Sequence, residues 1–222
     1  MFPSTQLSLL EAVSGPGAVP NEALERVVAL YWKPVHRLVR LKFAMESSDA
    51  EDLTQEFFAT ALERDFFRRF DPLRASFRAY LRMAVERFAA NEYAAKKRLK
   101  RGGGVSFEPV ESAELQAGES PEEIFDREWR RQVFALALDD LRAHCESAGK
   151  IAQWQVFEAY DLAEEARPSY AALAARQGIA ESAVTNYLAW ARRMLRGFVE
   201  ARLRGVTAGE RELRQEMRSL WS

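Results

Sequence analysis

The sequence predicts an all-α protein of two helical domains joined by an acidic linker. Three observations predict it. Ala, Leu, Arg and Glu dominate a chain with sparse Gly and Pro punctuation, apolar residues recur at helical spacing, and one glycine-rich, acidic stretch interrupts the pattern. The chain has 222 residues, 48% of them apolar, enough for one larger domain or two small ones with their own cores.

The elements follow in order. A first helix is expected from about Asn21 to Phe43, broken or kinked at Pro34, whose ring clashes with the preceding turn. A second runs from Asp49 to about Arg64, opened by Ser48 as N-cap with Glu51 three residues on. The third starts near Ala75 and continues to about Arg98, with Phe77, Tyr80, Leu81, Ala84 and Phe88 at helical spacing, and Arg101-Gly102-Gly103-Gly104 stops it. Residues 102–119 read as a linker without regular structure, acidic through Glu108, Glu111, Glu114 and Glu119 and without Lys or Arg. Ser120, Pro121 and Glu123 then supply the N-cap, N1 and N3 of a helix reaching about Glu146. Further helices are expected from Lys150 to Leu162, from Ser169, from Glu181, and from Thr207-Ala208-Gly209-Glu210 to about Trp221. The expected domains are 1–101 and 120–206, with 102–119 between them and a helical extension at 207–222. No internal repeat is visible.

Composition also excludes function classes. No apolar run approaches the roughly 20 residues of a membrane span, and the N-terminus carries no basic leader, so no secretory signal is expected. The single Cys145 excludes an internal disulfide, and two histidines leave almost nothing for a zinc site. A cytoplasmic location fits. There is no glycine-rich phosphate loop, no nucleophile paired with a base and no metal cluster, so neither an enzyme activity nor a cofactor is expected.

The formal net charge of -1 hides a local asymmetry. From Arg64 to Arg101 there are twelve Arg or Lys against four acids, and the linker is the mirror image. A basic helix is often only a solvated face, but the run Lys96-Lys97-Arg98-Leu99-Lys100-Arg101 is dense enough to point to phosphates.

Ser169 to Arg196 has the pattern of a helix-turn-helix. Ala174 is the small residue where two helices approach, Gly178 the turn four positions later, and Leu173, Ile179, Val184 and Leu188 the apolar anchors. An ordinary helical hairpin would share these features. With Val184, Leu188, Ala191 and Leu195 inward, the second helix turns Ser182, Thr185, Asn186, Ala189 and Arg193 outward. Thr185 and Asn186 suit base edges, and Arg192, Arg193 and Arg196 suit phosphates. Trp190 fits either this surface or the edge of the core.

The segment SSDAEDLTQEFF, Ser47 to Phe58, gathers four carboxylates, a glutamine and two phenylalanines. Helix capping and the dipole account for Asp49, Glu51 and in part Asp52. They leave Gln55 and Glu56 unexplained. Asp52, Gln55 and Glu56 stand at i, i+3 and i+4 and so share a face, while Leu53 and Phe57 project from another.

The order of DAEDLTQEFF, then FDPLRASFRAYLRMAVERFAANEYAAKKR, then SYAALAARQGIAESAVTNYLAWARRMLR resembles bacterial RNA polymerase sigma factors of the extracytoplasmic-function type. The first two segments are similar to sigma region 2 and the last to region 4. The similarity covers roughly residues 25–101 and 130–204, and FPSTQLSLL near the N-terminus resembles a subgroup of these factors. The resemblance implies a core RNA polymerase partner, met through its β′ clamp helices by Asp52, Gln55 and Glu56 and through its β flap. It implies capture of a flipped minus-ten base at the loop containing Phe70, Asp71, Arg74 and Ser76. Arg78, Arg82, Arg87, Lys96, Lys97 and Arg98 would then hold backbone phosphates, with Tyr80 in the core. At the minus-thirty-five element it implies contacts from Ser182, Thr185, Asn186, Ala189, Trp190, Arg192, Arg193 and Arg196. The linker would thread toward the polymerase cleft, or serve as a solvated spacer.

The sequence departs from the family pattern at several places. Arg87 stands where many relatives carry asparagine, and Thr185, Ala189 and Trp190 where basic or histidine side chains are common. Ala180 replaces the Ser or Thr that caps the recognition helix, which lowers local stability by about 1 kcal/mol. These departures imply an unusual promoter preference or weaker DNA contacts. The function implied is promoter recognition and opening on behalf of core polymerase, with an anti-sigma factor as a possible further partner. The alternative is a sigma-like adaptor that docks on polymerase without supporting initiation. The tail beyond Thr207 is expected to pack on the second domain or to bind a regulator.

Overall fold

The computed structural model describes residues 21–63, 66, 69–100, 119–164 and 166–221, with residues 21, 62–63 and 96–100 described through their backbone alone. Every regular element among them is helical: α1 Asn21–Lys42, α2 Ser47–Glu63, α3 Phe77–Lys100, α4 Pro121–Ser147, α5 Ile151–Asp161, α6 Tyr170–Gln177, α7 Glu181–Arg204 and α8 Glu210–Leu220. The expected N-terminal FPSTQLSLL element and nearly all of the linker, residues 102–118, lie outside the described residues.

Local chemistry sets most boundaries. Ser120 and Glu123 form the expected reciprocal cap of α4: the Ser120 amide donates to Glu123 at 2.7 Å and the Glu123 amide to the Ser120 hydroxyl at 3.2 Å. These bonds hold the Glu123 carboxyl below its ordinary value. Ser169 caps α6 by accepting from the Ala172 amide. Two boundaries differ from expectation. α2 starts at Ser47, because the Ala50 amide already donates to the Glu46 carbonyl, which puts Ser48 inside the first turn. α3 starts at Phe77 with Ser76 as its cap, the hydroxyl accepting from the Ala79 amide. Pro34 does not break α1, which runs as one helix from Asn21 to Lys42 with the proline buried. Pro34 costs one backbone bond, and burial of Leu30, Tyr31, Val35 and Leu38 around it holds the helix.

The described residues fall into two compact units. The first takes the residues up to Gln132 together with those from Leu203 onward, and the second takes Val133–Arg202. In the first unit α1, α2 and α3 bury Val27, Val35, Leu53, Phe57, Leu81 and Val85. Tyr31 packs edge-on against Phe77 at 5.7 Å and stacks on Phe125 of α4 at 6.4 Å. The Gln132 side-chain amide donates to the Ala29 carbonyl. The tail from Thr207, expected on the second domain or on a regulator, belongs to this first unit: α8 turns Leu213, Glu216 and Leu220 inward.

In the second unit Leu141, Cys145, Trp154, Phe157, Leu173 and Leu188 belong to one core. Gly149, at φ 65°, makes the left-handed turn after α4 that lets Lys150 donate back to the Cys145 carbonyl. A bidentate pair between Arg202 and Asp140, both bonds 2.6 Å, ties α7 to α4 within this unit. Among the described residues no helix is long and apolar enough to cross a membrane.

Candidate functional site

On α2 the geometry of the acidic edge is as its spacing predicts. Asp52, Gln55 and Glu56 are exposed on one face, and Leu53 and Phe57 are buried on another. Buried Thr54 bonds back to the Ala50 carbonyl at 2.7 Å, and Phe58 stacks on Trp32 of α1 at 5.8 Å. The helix beneath the edge is thus held in place by packing. Neither carboxylate of the edge makes an ion pair among the described residues.

The loop before α3 splits into inner and outer parts. Phe70 is buried, edge-on to Phe77 at 5.4 Å and beside Tyr80 at 5.3 Å, so it anchors the loop instead of offering a ring to a base. Ser76 is engaged in capping α3. Asp71 accepts from the Leu73 amide at 3.0 Å and pairs with Arg74 at 3.1 Å. That tight turn displays Leu73, 95% exposed, and Arg74 at its tip.

Along α3 the arginines divide. Arg78 is paired with Asp126 at 2.8 Å and Glu216 at 3.0 Å, with its guanidinium 4.3 Å above the Trp129 ring. Arg82 lies 2.9 Å from Glu122, close but without hydrogen-bond alignment. Both expected phosphate ligands are therefore spent on acids of the same unit. Arg87 is exposed on the rim of a cavity of about 390 Å³ between α2 and α3, walled by Phe57, Phe66, Tyr80 and Phe88. Tyr80, expected in the core, is half-buried on the cavity wall, where it stacks on Phe66 at 4.7 Å and donates its hydroxyl to the Phe66 carbonyl. The side chains of Lys96, Lys97 and Arg98 lie outside the described residues.

In the second unit α6 and α7 form the expected helix, turn and helix. Gly178 takes φ 63°, ψ 33°, a conformation costly for other residues, and its amide turns back to Ala174 and Ala175. Ala174, Val184, Leu188 and Ala191 are buried. Ser182, Thr185, Asn186, Ala189 and Arg193 are all exposed. Arg196 is exposed too. Two further residues are engaged within the unit. Arg192 makes a bidentate pair with Asp161, both bonds 2.8 Å. Trp190 packs on the core, stacked against His144 at 6.2 Å with the Lys150 ammonium 4.8 Å from its ring.

No family model, curated protein or solved structure matches the chain.

Arg69 and Asn91, outside the expected contacts, line the α2–α3 cavity with Arg87. The i, i+4 spacing of Arg87 and Asn91 signals their common face, but nothing local brings Arg69 to it. Among the described residues no group of three His, Cys, Asp or Glu side chains is gathered for a metal.

Proposed function

We propose that this chain is a transcription initiation factor that docks on core RNA polymerase, recognises promoter DNA and assists its opening, in the manner of the sigma factors it resembles. The observation that carries the reading is the outward face of α7. Ser182, Thr185, Asn186 and Arg193 project from a helix whose opposite side, Val184, Leu188 and Ala191, is buried, and which follows a short helix and a glycine turn. Hydroxyl, amide and guanidinium groups on the second helix of such a motif suit base edges and phosphates in a major groove. The acidic edge of α2 supports the polymerase partner: a fixed, exposed row of carboxylates and amide offers charge complementarity to basic partner helices.

The second reading, an adaptor that docks without initiating, is favoured by the internal pairing of Arg78, Arg82 and Arg192. The first two pairs remove cations from the surface that strand capture needs, and the third removes one from the helix-turn-helix face. Binding to purified core polymerase, followed by size-exclusion co-elution with and without a promoter fragment, tests both. Co-elution with core and retention of the fragment support the initiation factor. Co-elution without retention supports the adaptor, and no co-elution contradicts both.

A further inference from the structure

We propose that α8 is an autoinhibitory clasp whose two carboxylates, Glu212 and Glu216, occupy an anion-binding place on α3 that nucleic-acid phosphates take when the clasp opens. The proposal rests on the reading of α3 as a nucleic-acid face, and it concerns the first compact unit alone.

The place is built from two kinds of donor. At the start of α3 the Phe77 amide donates to Glu212 at 2.6 Å, where the helix dipole favours an anion. One residue on, Arg78 presents its guanidinium to Glu216 at 3.0 Å and to Asp126 at 2.8 Å. Glu212 and Glu216 are one turn apart on α8, so a single helix delivers both carboxylates. Glu212 also accepts from the Ala208 amide at 2.7 Å, which fastens the turn leading into α8 to the same carboxylate.

A helix evolved only to cover a core would place an apolar residue at the middle of its buried stripe. Here Leu213 and Leu220 flank Glu216, which is only 3% exposed. Burying an ion pair costs most of what the attraction returns, so this pair is inefficient glue. It is well suited to exchange. When α8 leaves, Glu212 and Glu216 regain water; Arg78 keeps its Nη1 bond to Asp126 and turns the edge that held Glu216, together with the Phe77 amide, toward a phosphate. Arg82 and Glu122, 2.9 Å apart, hold the next turn of α3 in the same masked condition.

The test compares the full chain with its Glu212→Gln/Glu216→Gln double variant, using a fluorescein-labelled single-stranded oligonucleotide as probe. Circular dichroism first establishes that the variant is as helical as the parent. The clasp predicts that the variant binds the probe about tenfold more tightly, with a salt dependence steeper by about one counterion for each phosphate gained. Equal affinity and equal salt slope overturn the clasp but leave the nucleic-acid reading standing. No binding by either chain overturns both. Should the variant fold poorly, hydrogen exchange on the unaltered chain decides: α8 amides and the Phe77 amide lose protection on adding probe if the clasp opens. Unchanged protection with the probe bound overturns it.

Discussion

Arg78 of α3 and Glu216 of α8 face one another at 3.0 Å, although 138 residues of chain separate them. The carboxylate is buried, and burial pushes its pKa above the usual 4.5 against the pull of Arg78. Asp126 of α4, Glu212 of α8 and Tyr31 of α1 complete its charged and titratable surroundings, and the Ser219 hydroxyl donates to it. The fold therefore binds the Glu216 proton more tightly than the unfolded chain does. The stability that gives is full below the unfolded value and is lost as pH rises through the folded one.

The first prediction follows from that sign. Denaturant unfolding of the parent and of Glu216→Gln, compared from about pH 4 to about pH 7, should show the parent losing stability relative to the variant as pH rises. A gap that stays flat or widens in the parent's favour contradicts the burial-dominated account of this pair.

Replacing Asp52, Gln55 and Glu56 together by alanine should leave the unfolding midpoint unchanged, since all three are exposed over a buried Leu53 and Phe57. Affinity for core polymerase should fall about tenfold or more, equivalent to about 1.4 kcal/mol. A surface-plasmon titration checks it, and full affinity removes the docking assignment.

Ala180 stands at the N-cap position of α7, its carbonyl accepting from the Ala183 amide. Its methyl offers nothing to the free amides of the first turn. Ala180→Ser should therefore stabilise the chain by about 1 kcal/mol in thermal or denaturant unfolding.

Arg192 and Arg193 are neighbours with different duties. Arg192→Ala breaks the pair with Asp161 and should cost about 0.2–1 kcal/mol of stability with no change in the salt slope of DNA binding. Arg193→Ala should leave stability alone and lower that slope by about one. The reverse outcome exchanges their roles.

What the sequence disclosed was what neighbours decide. The Ser120–Glu123 cap, the left-handed turn at Gly178 and the division of α2 into an acidic and an apolar face all lie within one or two helical turns, so spacing suffices to read them. What it hid depends on distant chain. Nothing near Arg78 announces Asp126, 48 residues on, or Glu216 beyond it, and so a basic helix reads as a free one. Phe70 reads as a loop aromatic until Phe77 and Tyr80 are seen around it. Trp190 reads either way in sequence, because a partly buried ring at the end of an apolar stripe satisfies a core and a groove alike.

The most direct test of the account is transcription by purified core polymerase on a pooled promoter library, with and without this chain. Discrete start sites should appear only when the chain is present, and they should share sequence near minus ten and minus thirty-five. An unchanged set of transcripts, from a preparation in which the chain co-elutes with core, would contradict it.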